Sequence, residues 1–206
     1  MTKRVRVRHH VNPMSRVFEE RRASLLELPP GPVEVELGCA DALFLFDRAP
    51  LFPKTTFVGV EIREPLVADV NLRAAEAGLT NLIACSGHIN LDLDGLFADE
   101  RLDRVFVNFP DPWFKRRHHK RRLMNPELVE SLHRKIRRGG ELFFQSDVWD
   151  LGIDAMAVLE KRRDLFSNTV EPWTFLRPNP YQARSLREVR CEEKGLRIWR
   201  IQYHRL

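Results

Sequence analysis

The residues best suited to chemistry lie in one short stretch, Asn108 to Arg122. Asp111 stands between Pro110 and Pro112, directly after an apolar run that is typical of a buried parallel strand. Proline fixes its own φ and keeps the preceding residue out of the helical region, so the carboxylate is held on a stiff loop at the strand's end. Trp113 follows at once and offers a flat surface for stacking.

A cationic run follows this loop. Lys115 to Arg122 reads K-R-R-H-H-K-R-R without an acidic residue, and the N-terminal arm adds Lys3, Arg4, Arg6 and Arg8. The overall charge of +5 is weak evidence alone, but such localised clusters are what a polyanionic partner requires. A carboxylate, an aromatic and cations in series therefore indicate a nucleic-acid surface rather than a solvated helix face.

A second signal is a glycine and a carboxylate at two strand ends. Gly38 follows the predicted strand 33–37, and Glu61 lies at the end of the predicted strand 56–62. The glycine permits a sharp turn beside a nucleotide-like ligand, and the carboxylate suits hydrogen bonds to ribose hydroxyls. Dinucleotide-binding proteins and methyltransferases share this pair. The absence of G-x-G-x-x-G disfavours the former, while a plain turn and a solvated carboxylate are also consistent with the pattern.

These residues need a framework of alternating strands and helices. Further strands are predicted over 81–85, 104–109, 141–145 and 196–203, and helices over 42–49, 64–77, from Asn125 to Gly139-Gly140, and over 149–162. This alternation predicts an α/β fold with a parallel sheet covered on both faces, whose ligands bind beyond the carboxyl ends of the strands. The long connection from about 172 to 193 is of a length that is usually functional.

Several sequence features bound the class of protein. No apolar run approaches the roughly 18 residues that span a membrane. Cys39, Cys85 and Cys191 are scattered and form no C-x-x-C pair, so neither disulfides nor a zinc site are indicated. We therefore expect a cytoplasmic protein without a bound metal and without a membrane partner.

The string F-P-D-P-W-x-K-x-R-H-x-K-R-R, Phe109 to Arg122, resembles the signature of the tRNA (guanine-N7-)-methyltransferase family. Further motifs of that family match in order: Glu36-Leu37-Gly38, Gly59-Val60-Glu61, Ser146-Asp147 and Ser185-Leu186-Arg187-Glu188. The resemblance implies a class I methyltransferase Rossmann-like fold with a mostly parallel seven-stranded sheet and helices on both faces. The stiff Pro29-Pro30-Gly31-Pro32 break predicts a basic, flexible segment over 1–31 and a methyltransferase domain over 32–206.

The same resemblance implies roles for individual residues. S-adenosyl-L-methionine should contact Glu36, Gly38, Glu61, His88 and Asp111, and Asp111 should also be the catalytic residue. The guanosine should be bound by Lys115, Asp147, Ser185 and Glu188. The rest of the RNA should be bound by Arg116, Arg117, His118, Lys120, Arg121 and Arg122. The implied partner is tRNA, methylated at N7 of a variable-loop guanosine by a monomer or homodimer.

The chain departs from the family in its first turn, where Ala40 and Ala42 stand in place of two glycines. If φ is positive there, the ligand pocket is altered. This departure motivates a competing hypothesis, an RNA-binding protein of methyltransferase fold whose activity is lost. The sequence also leaves open a methyltransferase that acts on another RNA or on a small molecule, and a nicotinamide-dependent enzyme, for which no phosphate loop is present.

Overall fold

The computed structural model describes residues 23–206, and the basic arm with Lys3, Arg4, Arg6 and Arg8 lies outside them. Seven strands form one sheet in the order β3-β2-β1-β4-β5-β7-β6. They are β1 (Val33–Leu37), β2 (Thr56–Glu61), β3 (Leu82–Ser86), β4 (Leu102–Asn108), β5 (Ile136–Ser146), β6 (Phe166–Asn168) and β7 (Trp199–Arg205). Six helices connect them: α1 (Leu43–Arg48), α2 (Glu64–Glu76), α3 (Ile89–Leu96), α4 (Pro126–Lys135), α5 (Trp149–Glu160) and α6 (Leu186–Glu193).

The sheet is mixed. Strands β1 to β5 pair in parallel, whereas β7 is antiparallel to both β5 and β6. The chain places β7 between these two strands, with Ser146 opposite Trp199. Consequently the start of β7 lies at the carboxyl end of β5, and the loop before β7 returns to the edge where β1, β2 and β4 end.

Helices cover both faces of the sheet, because alternate strand residues point in opposite directions. Val35 and Val105 belong to one buried cluster, which also takes residues of α3, α4 and α5. Their neighbours Phe57 and Phe106 belong to a second cluster, which takes residues of α1 and α2. These two apolar layers fix the strand ends that carry the polar residues described below.

Several elements differ from the sequence-based prediction. The short β6, together with α3 and α6, lacked a clear periodic signal and was not predicted. Gly139-Gly140 was predicted to end helix α4, but both glycines lie within β5. A Cβ on Gly140 would lie 2.9 Å from the carbonyl oxygens of Arg137 and Asp103, so close backbone packing explains this glycine.

The described part of the predicted basic segment is held against α3. The backbone N–H of Leu26 donates to the carbonyl of Leu96 at 2.9 Å, and that of Ala23 donates to Asp92 Oδ1 at 3.3 Å. The boundary between segment and domain stays a prediction. Within residues 23–206, no helix is both long enough and apolar enough to cross a membrane.

Candidate active site

A cleft of about 380 Å³ lies beyond the carboxyl ends of β1, β2 and β4. Its walls come from the turn after β1, the end of β2, the loop before α3, the loop after β4 and the start of α6. Seven residues singled out from the sequence line it: Glu36, Gly38, Glu61, His88, Asp111, Arg121 and Ser185. The topology thus brings together side chains that are separated by up to about 150 positions in the chain.

The turn after β1 has a left-handed backbone at three places. Gly38 has a φ of +77°, and Ala40 and Ala42 have φ of 50° and 54°. L-residues pay roughly 1–2 kcal/mol for this region because Cβ approaches the carbonyl oxygen. The alanines therefore keep the glycine-like path of the chain at a cost in backbone strain.

Replacing Ala40 by glycine is expected to raise the free energy of unfolding by about 0.5–1 kcal/mol, since relief of strain outweighs the added freedom of the unfolded chain. Ala42→Gly is the matched control. Ala42 is fully buried, and losing its methyl costs about 0.8 kcal/mol, so its net change should be close to zero. Urea denaturation of both variants measures the difference. A destabilised Ala40→Gly protein would contradict the strain at this turn.

Glu36 is a buried carboxylate at the floor of the cleft. Its Oε1 accepts from Asn108 Nδ2 at 2.7 Å, but Oε2 has no hydrogen-bond partner among residues 23–206. Burial is the main cause that raises the pKa of Glu36 to about 8; the Asn108 hydrogen bond opposes this rise, and the charges of Asp41 and Glu61 add to it. A ligand that brings positive charge or N–H donors to this point would satisfy the orphaned oxygen.

Glu61 is also buried, and Arg63 covers it. Arg63 donates from Nε to Oε1 and from Nη2 to Oε2, both at 2.8 Å, while the N–H of Ala40 donates to Oε2 at 3.1 Å. The pair raises the pKa of Arg63, mainly through the hydrogen bond to Glu61. A ligand approaching Glu61 therefore shares this carboxylate with a guanidinium that also lines the cleft.

His88 is buried at the start of α3 and lines the same cleft. Its backbone N–H donates to Asp92 Oδ2 at 2.7 Å, which caps the first turn of the helix. The preceding Gly87 is tightly packed, because a Cβ there would lie 3.0 Å from Leu96 Cδ1. The close approach of this loop to α3 sets where the imidazole lies.

The loop after β4 is braced around Asp111. Phe109 and Trp113 have φ of 49° and 44°, so non-glycine residues in the left-handed region stand on either side of the Pro110–Pro112 segment. The Arg121 guanidinium lies 5.0 Å from the centre of the Trp113 ring, and the His118 ring meets that ring edge-on at 5.9 Å. Strained residues of this kind cluster at functional sites.

The cationic run forms a 3-10 helix over Arg116–Arg121. Its side chains at Lys115, Arg116, Arg117 and Lys120 are exposed. Partial burial and the neighbouring cations lower the pKa of His118, which disfavours its charged form. Lysine and arginine therefore supply the permanent positive charge of this surface.

Arg122 differs from the rest of the run because it is buried. Its Nη1 forms an ion pair with Asp154 of α5, and its Nε donates to the carbonyl of Pro112 at 3.2 Å. The structure thus places Arg122 beneath the Asp111 loop, away from the exposed cationic surface to which the sequence had assigned it.

The residues predicted to bind guanosine are divided between the cleft and its surroundings. Ser185 lines the cleft and caps α6, its Oγ accepting from the N–H of Glu188 at 3.3 Å. Asp147 forms an ion pair with Arg187, while Lys115 is exposed; neither lines the cleft.

Glu188 is fully buried and does not line the cleft. It accepts hydrogen bonds from Arg200 and Asn179 at 2.8 Å and from Gln145 at 2.9 Å. In this structure its carboxylate ties α6 to β5 and β7, and the predicted contact with guanosine stays a prediction.

Sequence reasoning assigned no ligand role to six charged or amide side chains that line the cleft: Asp41, Arg63, Asn90, Asn108, Arg187 and Arg190. Arg63 directly follows the predicted strand, and Asn108 ends the strand before Phe109, so strand-end position was the available signal. The two arginines of α6 carried no such signal, because that helix was not predicted.

Comparison with known proteins places the chain in a family. A family model described as "Putative methyltransferase" matches residues 30–201. Proteins named tRNA (guanine-N(7)-)-methyltransferase from Thermosynechococcus vestitus and Synechococcus elongatus are each 38% identical, across 98% of this chain and 95% and 97% of their own. The crystal structure of the aminoglycoside resistance methyltransferase NpmB1 shares the fold, with a TM-score of 0.55 and 17% identity over 85% of this chain and 87% of that one. The chain belongs to the tRNA (guanine-N(7)-)-methyltransferase family.

Proposed function

We propose that this protein transfers a methyl group from S-adenosyl-L-methionine to N7 of a guanosine in the variable loop of tRNA. The observation that carries the proposal is one cleft with an orphaned buried carboxylate, Glu36, and a second carboxylate, Asp111, on a braced loop beside exposed cations. The sheet order and flanking helices support a class I methyltransferase fold, and the names of the relatives support the substrate.

The negative charge of the cleft suits the positive charge of the proposed cofactor. S-adenosyl-L-methionine supplies an electrophilic methyl on a cationic sulfur, and it carries an ammonium group that would satisfy the orphaned oxygen of Glu36. Gly38 leaves the turn open, since no described residue outside the turn lies within 4 Å of where its Cβ would be. Glu61 would hold the ribose hydroxyls alongside Arg63, and His88 would meet the adenine.

The reaction does not require a strong general acid or general base. Guanine N7 has an exposed lone pair, so holding it in line with the methyl group is the main requirement. Methylation leaves the guanine cationic, and a carboxylate nearby stabilises that developing charge. Asp111 is the group we assign to this role, and its fixed loop avoids reorganisation during the reaction.

We further propose that the exposed cations bind the phosphates of the tRNA. Replacing Lys115, Arg116 and Arg117 together by glutamine should weaken tRNA binding and reduce the slope of log Kd against log salt by about 2–3. Titrations at several salt concentrations measure the slope. The matched control replaces Lys54, Arg138 and Lys161, three exposed cations at the opposite end of the sheet, with the same change in net charge. Equal slopes in the two triple variants would show that the tRNA phosphates bind to a surface other than this cationic run.

The direct test is methyl transfer from labelled S-adenosyl-L-methionine to unmodified tRNA, with the product base identified by mass spectrometry. We expect 7-methylguanosine in the variable loop. Binding of tRNA without transfer would instead favour a protein that kept the RNA surface and lost its activity, which Ala40 and Ala42 motivate. Transfer to another RNA would favour a different substrate. A cytoplasmic location, function without a metal, and a monomeric or dimeric state complete the proposal.

A further inference from the structure

Three aromatic side chains form a cluster outside the cleft, here called the aromatic ledge: Trp149, Phe175 and Trp199. The ring centres of Trp149 and Trp199 are 4.3 Å apart, and Phe175 lies 5.5 Å from the first and 5.0 Å from the second. Trp149 remains 47% exposed despite these contacts. A half-exposed tryptophan that is held by two other rings presents a fixed apolar face to its surroundings.

The ledge is rigid because α5 approaches it closely. A Cβ on Gly152 would lie 3.0 Å from the Cβ of Trp199 and 3.2 Å from the ring of Phe175. Gly152 therefore lets the helix contact the other two rings directly, one turn below Trp149. A preorganised surface loses little conformational entropy when a ligand binds to it.

The ledge continues from the rim of the cleft. Trp199 pairs with Ser146 at the carboxyl end of β5, and Trp149 begins α5 just beyond that end. Asp147 lies between Ser146 and Trp149 in the chain. It forms an ion pair with Arg187, which lines the cleft. A strand of RNA entering the cleft from this side would pass over the Asp147–Arg187 pair and reach the ledge.

The charges around the ledge suit a polyanion. The Arg197 guanidinium lies 4.9 Å from the centre of the Trp199 ring, and Arg187 stands between the ledge and the cleft. Of the two acidic residues beside Trp149 in the chain, Asp147 forms an ion pair with Arg187 and Asp150 is exposed. Aromatic rings flanked by arginine are the combination on which unpaired bases stack, whatever their sequence.

We propose that the aromatic ledge stacks an unpaired base of the RNA next to the nucleotide held in the cleft. This inference rests on the proposed function, since it needs an RNA substrate. The ledge contributes to affinity and not to chemistry, because it lies outside the cleft that holds Asp111. The aromatic ledge is thus a second RNA contact, located after β5. It lies beside the cationic run that follows the neighbouring strand β4.

The test compares Trp149→Ala with the wild-type protein in tRNA binding and in steady-state kinetics. We expect Kd and KM for tRNA to rise about 10-fold, with kcat and the Kd for S-adenosyl-L-methionine unchanged. Trp149→Phe should restore most of the affinity. The matched control, Trp173→Ala, removes another exposed tryptophan (55%), whose backbone N–H contacts Glu160 at the other end of α5, and should leave Kd unchanged.

A second measurement does not depend on the alanine variant folding. Bound tRNA should quench the intrinsic fluorescence of the wild-type protein, and Trp149→Phe should lose the part of that quenching that comes from Trp149, while Trp113 and Trp199 keep theirs. Unchanged tRNA affinity in Trp149→Ala, or unchanged quenching in Trp149→Phe, overturns the ledge while methylation by the wild-type protein leaves the proposed function standing. Failure of the wild-type protein to bind tRNA at all overturns both.

Discussion

Replacing Asp111 by asparagine will lower kcat for tRNA methylation by about 10²- to 10³-fold while the fold is retained. The change keeps the shape of the side chain and removes the charge that we assign to stabilising the cationic guanine. The Pro110–Pro112 segment, braced by Trp113 and Arg121, holds the amide where the carboxylate was. Single-turnover kinetics at saturating tRNA and cofactor measure the loss, and Asp111→Ala should abolish turnover.

Asp41→Asn is the control for this experiment, because Asp41 lines the same cleft and carries the same charge. Its effect on kcat should stay within a few-fold. Full activity in Asp111→Asn would remove the role given to this carboxylate. Equal losses in both variants would mean that the net charge of the cleft matters and the position of Asp111 does not.

Replacing Glu36 by glutamine should stabilise the ligand-free protein by roughly 2 kcal/mol at pH 8 and above. The pKa of Glu36 is raised from 4.5 to about 8, so the folded protein binds a proton that the unfolded chain releases. The stability of the wild-type protein should therefore fall as pH rises from about 4.5 to about 8, and glutamine abolishes this dependence. Thermal melts across that range should show a gain of about 4–8 °C in Tm at the upper end.

The same variant should bind S-adenosyl-L-methionine about 10- to 100-fold more weakly, since a charged acceptor is lost. In the wild-type protein, cofactor binding should tighten as pH rises towards about 8, because the proton on Glu36 must leave for the carboxylate to receive a cation. Titration calorimetry in buffers of different ionisation enthalpy counts that proton.

Glu34 provides a matched control of opposite sign. It lies on the same strand and is equally buried, but Arg48 and Arg104 occupy its oxygens at 2.7 and 2.8 Å. Glu34→Gln should destabilise the protein by roughly 3 kcal/mol, because Arg48 would be left as a buried charge with a weakened partner. A destabilised Glu36→Gln protein would show that its orphaned oxygen is not a source of instability.

Much of the fold was predictable because its strands have strong local signals. The apolar runs of β1, β2 and β4 are clear in the sequence, and the positions of Gly38, Glu61 and Asp111 at their ends predicted a shared edge. The elements that were missed had weak local signals. The β6 strand has three residues, and α6 presents charged residues along most of its length.

Side-chain roles were harder to predict than positions. Arg122 belongs to an uninterrupted cationic run, yet a 3-10 helix turns it under the loop to meet Asp154, which lies 32 residues away in the chain. Glu188 is acidic like Asp111, yet three partners from β5, β7 and the preceding loop bury it. Sequence spacing does not encode such long-range pairs, so it shows where a residue lies along an element and not what the residue meets.

The non-glycine residues with positive φ affect how easily proteases cleave the protein. Of the six non-glycine residues with positive φ in the described chain, Ala40, Phe109 and Trp113 line the cleft, and Ala42 ends the same turn as Ala40. Backbone strain lowers the free energy needed for local opening, and open segments are where proteases cut. A ligand that binds only the closed form, at a concentration one hundred times its Kd, raises the free energy of such opening by about 2.7 kcal/mol. We therefore expect limited proteolysis at the turn after β1 to slow when S-adenosyl-L-methionine, the proposed methyl donor, is bound.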